Sequence, residues 1–355
     1  MEAVIHKLVG SRSFPRLLQN QKYPLPETQS NYGNVYESST LVREMVERNK
    51  IIFFGEIHSQ PPIITFQREL LQSMSQQQRQ QKQQSKKPSS SRLHVIFEHF
   101  SFPMQDILNE YQNTLRLRQY ERAKKEVYDS AFATLLEKYQ AIGTEGHDLV
   151  PYRSLLEDAG SNSCVQLHAG FLPRPYAKML LQKGGMDSVV QELQEKTKWL
   201  PTNDIAKLLQ SSNLHYNIFE SLITGRTLYD QTTVPSDQFQ RIFPAQVLKD
   251  IAMAHCIANI ARNERIENQE SQILVLVGNG HLLHYCGVPE LLLGFHPELA
   301  RETCVIASQP SHNPNDLADE TNLFKFLNQI YPEGSNPADY VYFYCPELHE
   351  DAPDG

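Results

Sequence analysis

The sequence predicts an α/β fold, a mainly parallel central sheet flanked by helices, with a helical cap inserted into it. Three observations predict it. Apolar runs at 51–54, 94–97 and 273–277 have the length of buried strands. Segments of helical spacing separate them, and this alternation marks βα units. Between about 104 and 245 strand signals almost vanish, so that stretch reads as a largely helical cap. One strand within it, Cys164-Val-Gln-Leu-His168, returns to the sheet.

Residues 1–35 read as leader and linker, with Pro24, Pro26 and Gly33. Lys7, Arg12, Arg16 and Lys22 are basic, and Val4, Ile5, Leu8 and Val9 can form a short apolar helical face. That composition is similar to a mitochondrial presequence, and a plain polar arm is the other reading. The expected compartment is mitochondrial or cytoplasmic. The α/β domain is expected over 36–345, followed by a tail at 346–355.

Within the domain, 39–50 has helical spacing, with Leu41, Met45 and Val46 on one side. The strand from Ile51 runs into Gly55-Glu-Ile-His58, where Gly55 is read as the exit from the sheet. Pro61-Pro62 begins a helix carrying Ile63, Phe66 and Leu70. The Gln, Ser, Lys and Arg tract at 75–92 cannot supply a core and is expected to be a disordered loop. The strand His94–Glu98 follows, then helical patterns from about 104 and a short helix over 151–160. Phe243–Arg262 reads as a long helix with Val247, Ile251, Ala254 and Ile257 on its apolar face. Strands Ile273–Val277, Cys304–Ser308 and Tyr340–Tyr344 close the pattern, with a helix at 322–330 before the last.

Bulk properties exclude some functions. A net charge of -8 provides no basic field to recruit nucleic acid. No apolar run approaches the ~20 residues of a membrane span. The five cysteines are scattered without a CxxC pair, which indicates reduced thiols in a non-secreted protein.

The chemistry concentrates in two mirrored segments, Gly55-Glu-Ile-His58 and Gly278-Asn-Gly-His281. Each follows an apolar strand, so both histidines fall at the carboxyl edge of the sheet, where ligands of parallel sheets sit. Side chains alternate along a strand, which puts Glu56 and His58 on one side. Glu98 ends its strand as Glu56 ends the first. Glu56, His58 and His281 offer ligands for a divalent metal that activates water. The same groups with Glu98 can also run metal-free acid–base catalysis. The bland reading is a set of strand ends that meet water. Arg174 can clamp an anionic group or serve as a helix-start arginine. Gln246 and Asp250 share one helix face, which suits a paired polar role or a solvated surface.

The sequence resembles the ChaN-like haem-binding proteins of the Tiki/TraB superfamily, and more distantly the erythromycin-esterase type hydrolases. The resemblance covers about residues 48–345. It rests on Phe54-Gly-Glu-Ile-His58, Val95-Ile-Phe-Glu98, Pro151-Tyr-Arg-Ser-Leu-Leu and Phe171-Leu-Pro-Arg174. It continues through Ala245-Gln-Val-Leu-Lys-Asp250, Gly278-Asn-Gly-His-Leu282, Gly287-Val-Pro289 and Ala338-Asp-Tyr-Val341. The resemblance implies a polar site of Glu56, His58, Glu98 and His281, with Arg174, Gln246, Asp250 and Asn279 contacting the ligand. It implies a haem- or iron-associated binding protein whose partner is haem or a small anionic ligand, with a homodimer as a further implication. The alternative it implies is a protease- or esterase-type hydrolase using Glu56, His58 and His281, with or without a divalent metal. Tyr216, Tyr229, His215 and His255 have the side-chain chemistry of haem ligands, and no local motif selects one. The chain departs from the pattern in lacking a lipobox cysteine near residue 1 and an Asn before Pro173-Arg174.

Overall fold

In the computed structural model, β-branched and aromatic runs form the strands because each is buried on both faces, the hallmark of a parallel sheet covered by two helical layers. The structure describes residues 7–10, 34–36, 38–84, 92–118, 124–142, 146–183, 186–197, 199–201, 205, 213–225, 237–266, 271–317, 322, 330 and 337–346. The expected helix at 322–330 and the candidate Tyr229 therefore lie largely or wholly outside the described residues.

The strands are β1 (Lys7–Gly10), β2 (Asn34–Tyr36), β3 (Ile51–Glu56), β4 (Leu93–Ser101), β5 (Val165–Phe171), β6 (Gln272–Gly278), β7 (Thr303–Pro310) and β8 (Tyr340–Tyr344). Their order in the sheet is β2-β1-β8-β7-β3-β6-β4-β5. β1 is antiparallel to β2 and β8, and every other pairing is parallel. Leu8 and Val9, expected on a helical face, are thus in a sheet strand.

Alternation along the strands sends neighbours to opposite layers. Ile52, Phe54, Val95, Phe97, Leu274 and Leu276 face one core. Ile51, Phe53, Ile96, Ile273, Val275 and Val277 face the other. The first core is closed by α1 (Ser38–Arg48), α2 (Pro61–Gln84), α3 (Gln105–Arg118), α4 (Lys124–Ile142) and α5 (Arg153–Ser161). The second is closed by α6 (Arg174–Lys183), α7 (Met186–Lys196), α8 (Asn213–Thr224), α9 (Asp237–Ile266) and α10 (Val288–Phe295). The helices expected to form a cap are therefore divided between the two layers. Of these helices, α3 and α5 pack directly against β5.

The glutamine tract also departs from expectation. α2 continues through it to Gln84, because glutamine is a good helix former and the tract still has an inner face. Met74, Ser75 and Gln78 are buried, and Gln78 Nε2 donates to Gln272 Oε1 at 2.9 Å. Only 85–91 of that segment lie outside the described residues.

β5 is an edge strand, and α3 covers its outward backbone groups with side chains. Gln105 donates to Leu167 O at 3.0 Å and accepts from Ala169 N at 2.9 Å. About two helical turns later, Gln112 donates to Val165 O at 3.2 Å and accepts from Leu167 N at 3.0 Å. Each amide does what a peptide group of a ninth strand would do, so the edge offers no template for pairing. Gln112→Leu should leave the buried Leu167 N–H without a partner and destabilise the fold by about 1–3 kcal/mol. A urea midpoint unchanged by the substitution would show that the edge is satisfied by other means.

Candidate functional site

β3, β6 and β4 are adjacent at the centre of the sheet, and their carboxyl ends bring the polar residues together. Glu56 ends β3 opposite Gly278, the last residue of β6. Gly55 precedes it for reasons of space. A Cβ there would lie 2.3 Å from Asn279 Oδ1 and 2.8 Å from Leu282 Cδ1. The expected exit from the sheet at Gly55 comes one residue later, since β3 continues through it to Glu56. Asn279, expected to contact ligand, is a stitch between strands. Its amide donates to Ser308 O at 2.7 Å and accepts from Ser308 N at 3.2 Å.

His58 lies between two buried carboxylates. Its Nδ1 is 2.7 Å from Glu56 Oε1 and its Nε2 is 2.9 Å from Glu98 Oε1. Glu98 also accepts from Gly278 N at 2.6 Å. Gly278 keeps this approach open, because a Cβ there would lie 3.3 Å from His58 Nε2 and push the ring by a few tenths of an ångström. Glu56 accepts from Tyr152 OH at 2.9 Å and from Gln67 Nε2. Tyr152 OH in turn accepts from Ser59 N at 2.9 Å, which ties down the turn after β3.

Two further imidazoles join the cluster. His99 Nε2 lies 3.1 Å from Glu56 Oε1, off the line a hydrogen bond needs, and its ring packs 4.2 Å from Tyr152. His147 Nε2 lies 3.8 Å from Glu98 Oε1, with its ring 4.5 Å from His58. Strict alternation would separate Glu98 from His99, but the register of β4 on β5 shifts between Phe97 and Ser101. That irregularity lets both side chains serve one site.

His281 completes the group from the other side. Its Nδ1 is bonded to Asp250 Oδ1, and its Nε2 lies 4.0 Å from Glu98 Oε2. The Gln246 amide nitrogen is 2.8 and 3.0 Å from the two ring nitrogens. Asp250 Oδ2 lies 3.4 Å from His215 Nε2, so one carboxylate stands between two imidazoles. Asp250 thus faces Nδ1 and orients the ring with Nε2 toward Glu98, the usual support of a metal-binding histidine. Arg174 stands outside this contact network. It is exposed at the start of α6, with Nη1 3.3 Å from where a Cβ on Gly146 would sit.

The electrostatics follow from burial and pairing. Burial alone would raise Glu56, but His99 and His58 overcome it and hold its carboxyl far below the usual range. Glu98 likewise falls to about 2 against its burial, through His58 and His281. Burial opposes the charge on His58, yet the two carboxylates raise it to about 10. His147 is pushed down to about 4 by burial and by the His99 ring. At neutral pH His58 holds its proton, whereas His147 has a free lone pair.

Among the described residues two donor sets close within 4.8 Å, His58/His99/His147 and Glu56/His58/Glu98. His281 belongs to neither: the first set uses His99 and His147, and the second keeps the expected Glu56 and His58 with Glu98 as its third member. Sequence reasoning missed His99, His147, Tyr152 and Gln67. The Glu98-His99 pair at a strand end was the available signal for one of them. Of the other candidates, Tyr216 packs on Phe243 and His255 is bonded by Asn259 along α9.

A family profile described as haem-binding uptake, Tiki superfamily, ChaN matches residues 42–292. The chain belongs to this family. The matched span holds the whole cluster from Glu56 to His281. Among solved structures the chain is similar to ChaN of Campylobacter jejuni, which was described with cofacial haem binding. The two share 13% identity and a TM-score of 0.54, over 88% of this chain and 93% of that one. At that identity the likeness is one of fold. The type III effector HopBA1 is similar at 9% identity and a TM-score of 0.32, over 77% of this chain and 83% of that one. No curated protein matches the chain. Among the described residues, no helix is long and apolar enough to cross a membrane.

Proposed function

We propose that this protein binds haem at the mouth above the Glu/His cluster. The observation that carries the reading is the family match over 42–292, which contains every member of that cluster. The donor set fits an iron centre, because imidazole nitrogens are its common protein ligands. His147 is the best placed of them. Its side chain is 20% exposed at the rim, and its depressed pKa of about 4 keeps the ring neutral. His58 is more exposed but is engaged at both nitrogens. The bound group would supply the iron chemistry. The chain's own part is to present an imidazole, to back it with Glu98, and to hold His281 beside it through Asp250.

A hemin titration followed at the Soret band tests this reading. Saturation at a defined stoichiometry is expected, with a changed spectrum in His147→Ala. Loose, unsaturable uptake equal to that of an unrelated acidic protein would remove the proposal. A second reading has its own observation, the two donor sets that close within 4.8 Å. A divalent ion held there would make the site hydrolytic, with a carboxylate as base. It requires stoichiometric metal in the purified protein, measured by mass spectrometry, and loss of that metal in His58→Ala.

A further inference from the structure

The floor of the site is acidic and its edge is basic. Glu56, Glu98 and Asp250 lie at or below 2% exposure beneath the imidazoles. Arg174 is exposed beside the Gly146-His147 segment, and it forms no ion pair among the described residues. Nearby arginines are committed, Arg153 to Asp129 and Glu157, and Arg68 to Asp158. Lys249 lies between Gln246 and Asp250 in sequence, on a helix that packs against the one Arg174 begins. Its Nζ sits 5.0 Å from the centre of the Phe171 ring, and that ring also lies 4.9 Å from the His281 ring.

Resting on the haem reading, we propose that Arg174 and Lys249 form a cationic rim for the ligand's carboxylates, so the site selects an acidic tetrapyrrole over its neutral ester. A carboxylate cannot settle on the floor, where buried anions repel it and are already paired. An electropositive centre suits the floor, and acidic side arms suit the rim. Arg174 can take a carboxylate with two parallel N–H donors, and Lys249 acts as a point charge.

The test compares hemin with hemin dimethyl ester on the full chain, each titrated at the Soret band at low and high salt. Wild type should bind hemin tighter than the diester, and added salt should narrow the gap. Arg174→Ala and Lys249→Ala should each weaken hemin by about two- to five-fold, and the double variant by about ten-fold, with the diester unaffected. Lys249→Arg should restore most of the loss. Unchanged thermal unfolding identifies variants that keep the fold. Equal binding of hemin and diester by wild type would overturn the rim and leave haem binding standing. Hemin discrimination retained in the double variant would do the same. Saturable binding of neither compound would overturn both readings.

Discussion

Glu56→Ala should lower stability by about 3–5 kcal/mol, the cost of removing one partner from a buried charged network. The carboxylate accepts from Tyr152 and Gln67 and lies against His58 and His99, so its loss orphans several buried groups at once. The pH dependence separates this cause from simple loss of packing. Glu98, depressed to about 2, contributes stability that is full above the ordinary 4.5 and is lost as pH falls toward 2. Glu56 acts in the same sense, its loss lying lower still. His58, raised to about 10, contributes stability that is full below 6.5 and is lost as pH rises through 10. His147, lowered to about 4, has the opposite sign to His58, because its neutral folded form costs stability as pH falls below 6.5. The gap between wild type and Glu56→Ala should therefore be widest between pH 4.5 and 6.5 and should shrink on either side. Urea denaturation across that range measures it. His58 in the variant should also titrate closer to an ordinary histidine by NMR. A gap independent of pH would mean that Glu56 matters for volume and not for charge.

Gly55→Ala should destabilise by about 3 kcal/mol, the upper end for overpacking a filled core. The new methyl would fall 2.3 Å from Asn279 Oδ1, an atom held in place by Ser308 N. It would also meet Leu282 at 2.8 Å. Relief requires β3 to separate from the β6 exit, the pair that sets Glu56 opposite Gly278. A double-mutant cycle with Asn279→Ala should show coupling above about 0.5 kcal/mol, because the second change removes the first obstacle. Strict additivity would show that the sheet absorbs the methyl without involving Asn279. Lost haem uptake in a folded Gly55→Ala would extend the result to the site.

Much of the architecture was legible because burial on both faces forces long apolar runs. Ile51–Phe54, Ile273–Val277 and Tyr340–Tyr344 could hardly be anything but strands, and the Gly-X-X-His exits of the first two marked the carboxyl edge. Periodicity likewise showed the faces of α1 and α9. The same rules failed where polar residues have an inner face. The glutamines of α2 look like solvent spacers, yet Gln78 reaches Gln272 across the sheet. Nothing local to α3 shows that Gln105 and Gln112 finish the edge of β5.

The chain order by itself determined the βα alternation and the placement of Glu56, His58, Glu98 and His281 at strand ends, because these depend on periods of two and 3.6 residues. Tertiary structure alone decided which groups share the site. His147 and Tyr152 arrive from the segment between α4 and α5, and Asp250 from a helix on the other side of the sheet. The shift in β4 turns His99 toward Glu56, against simple alternation. Tertiary structure also assigned Asn279 to the sheet and left Arg174 exposed. The physical reason is that charge pairing and steric fit depend on distances of a few ångströms between segments far apart in the chain. Local pattern carries no record of those distances.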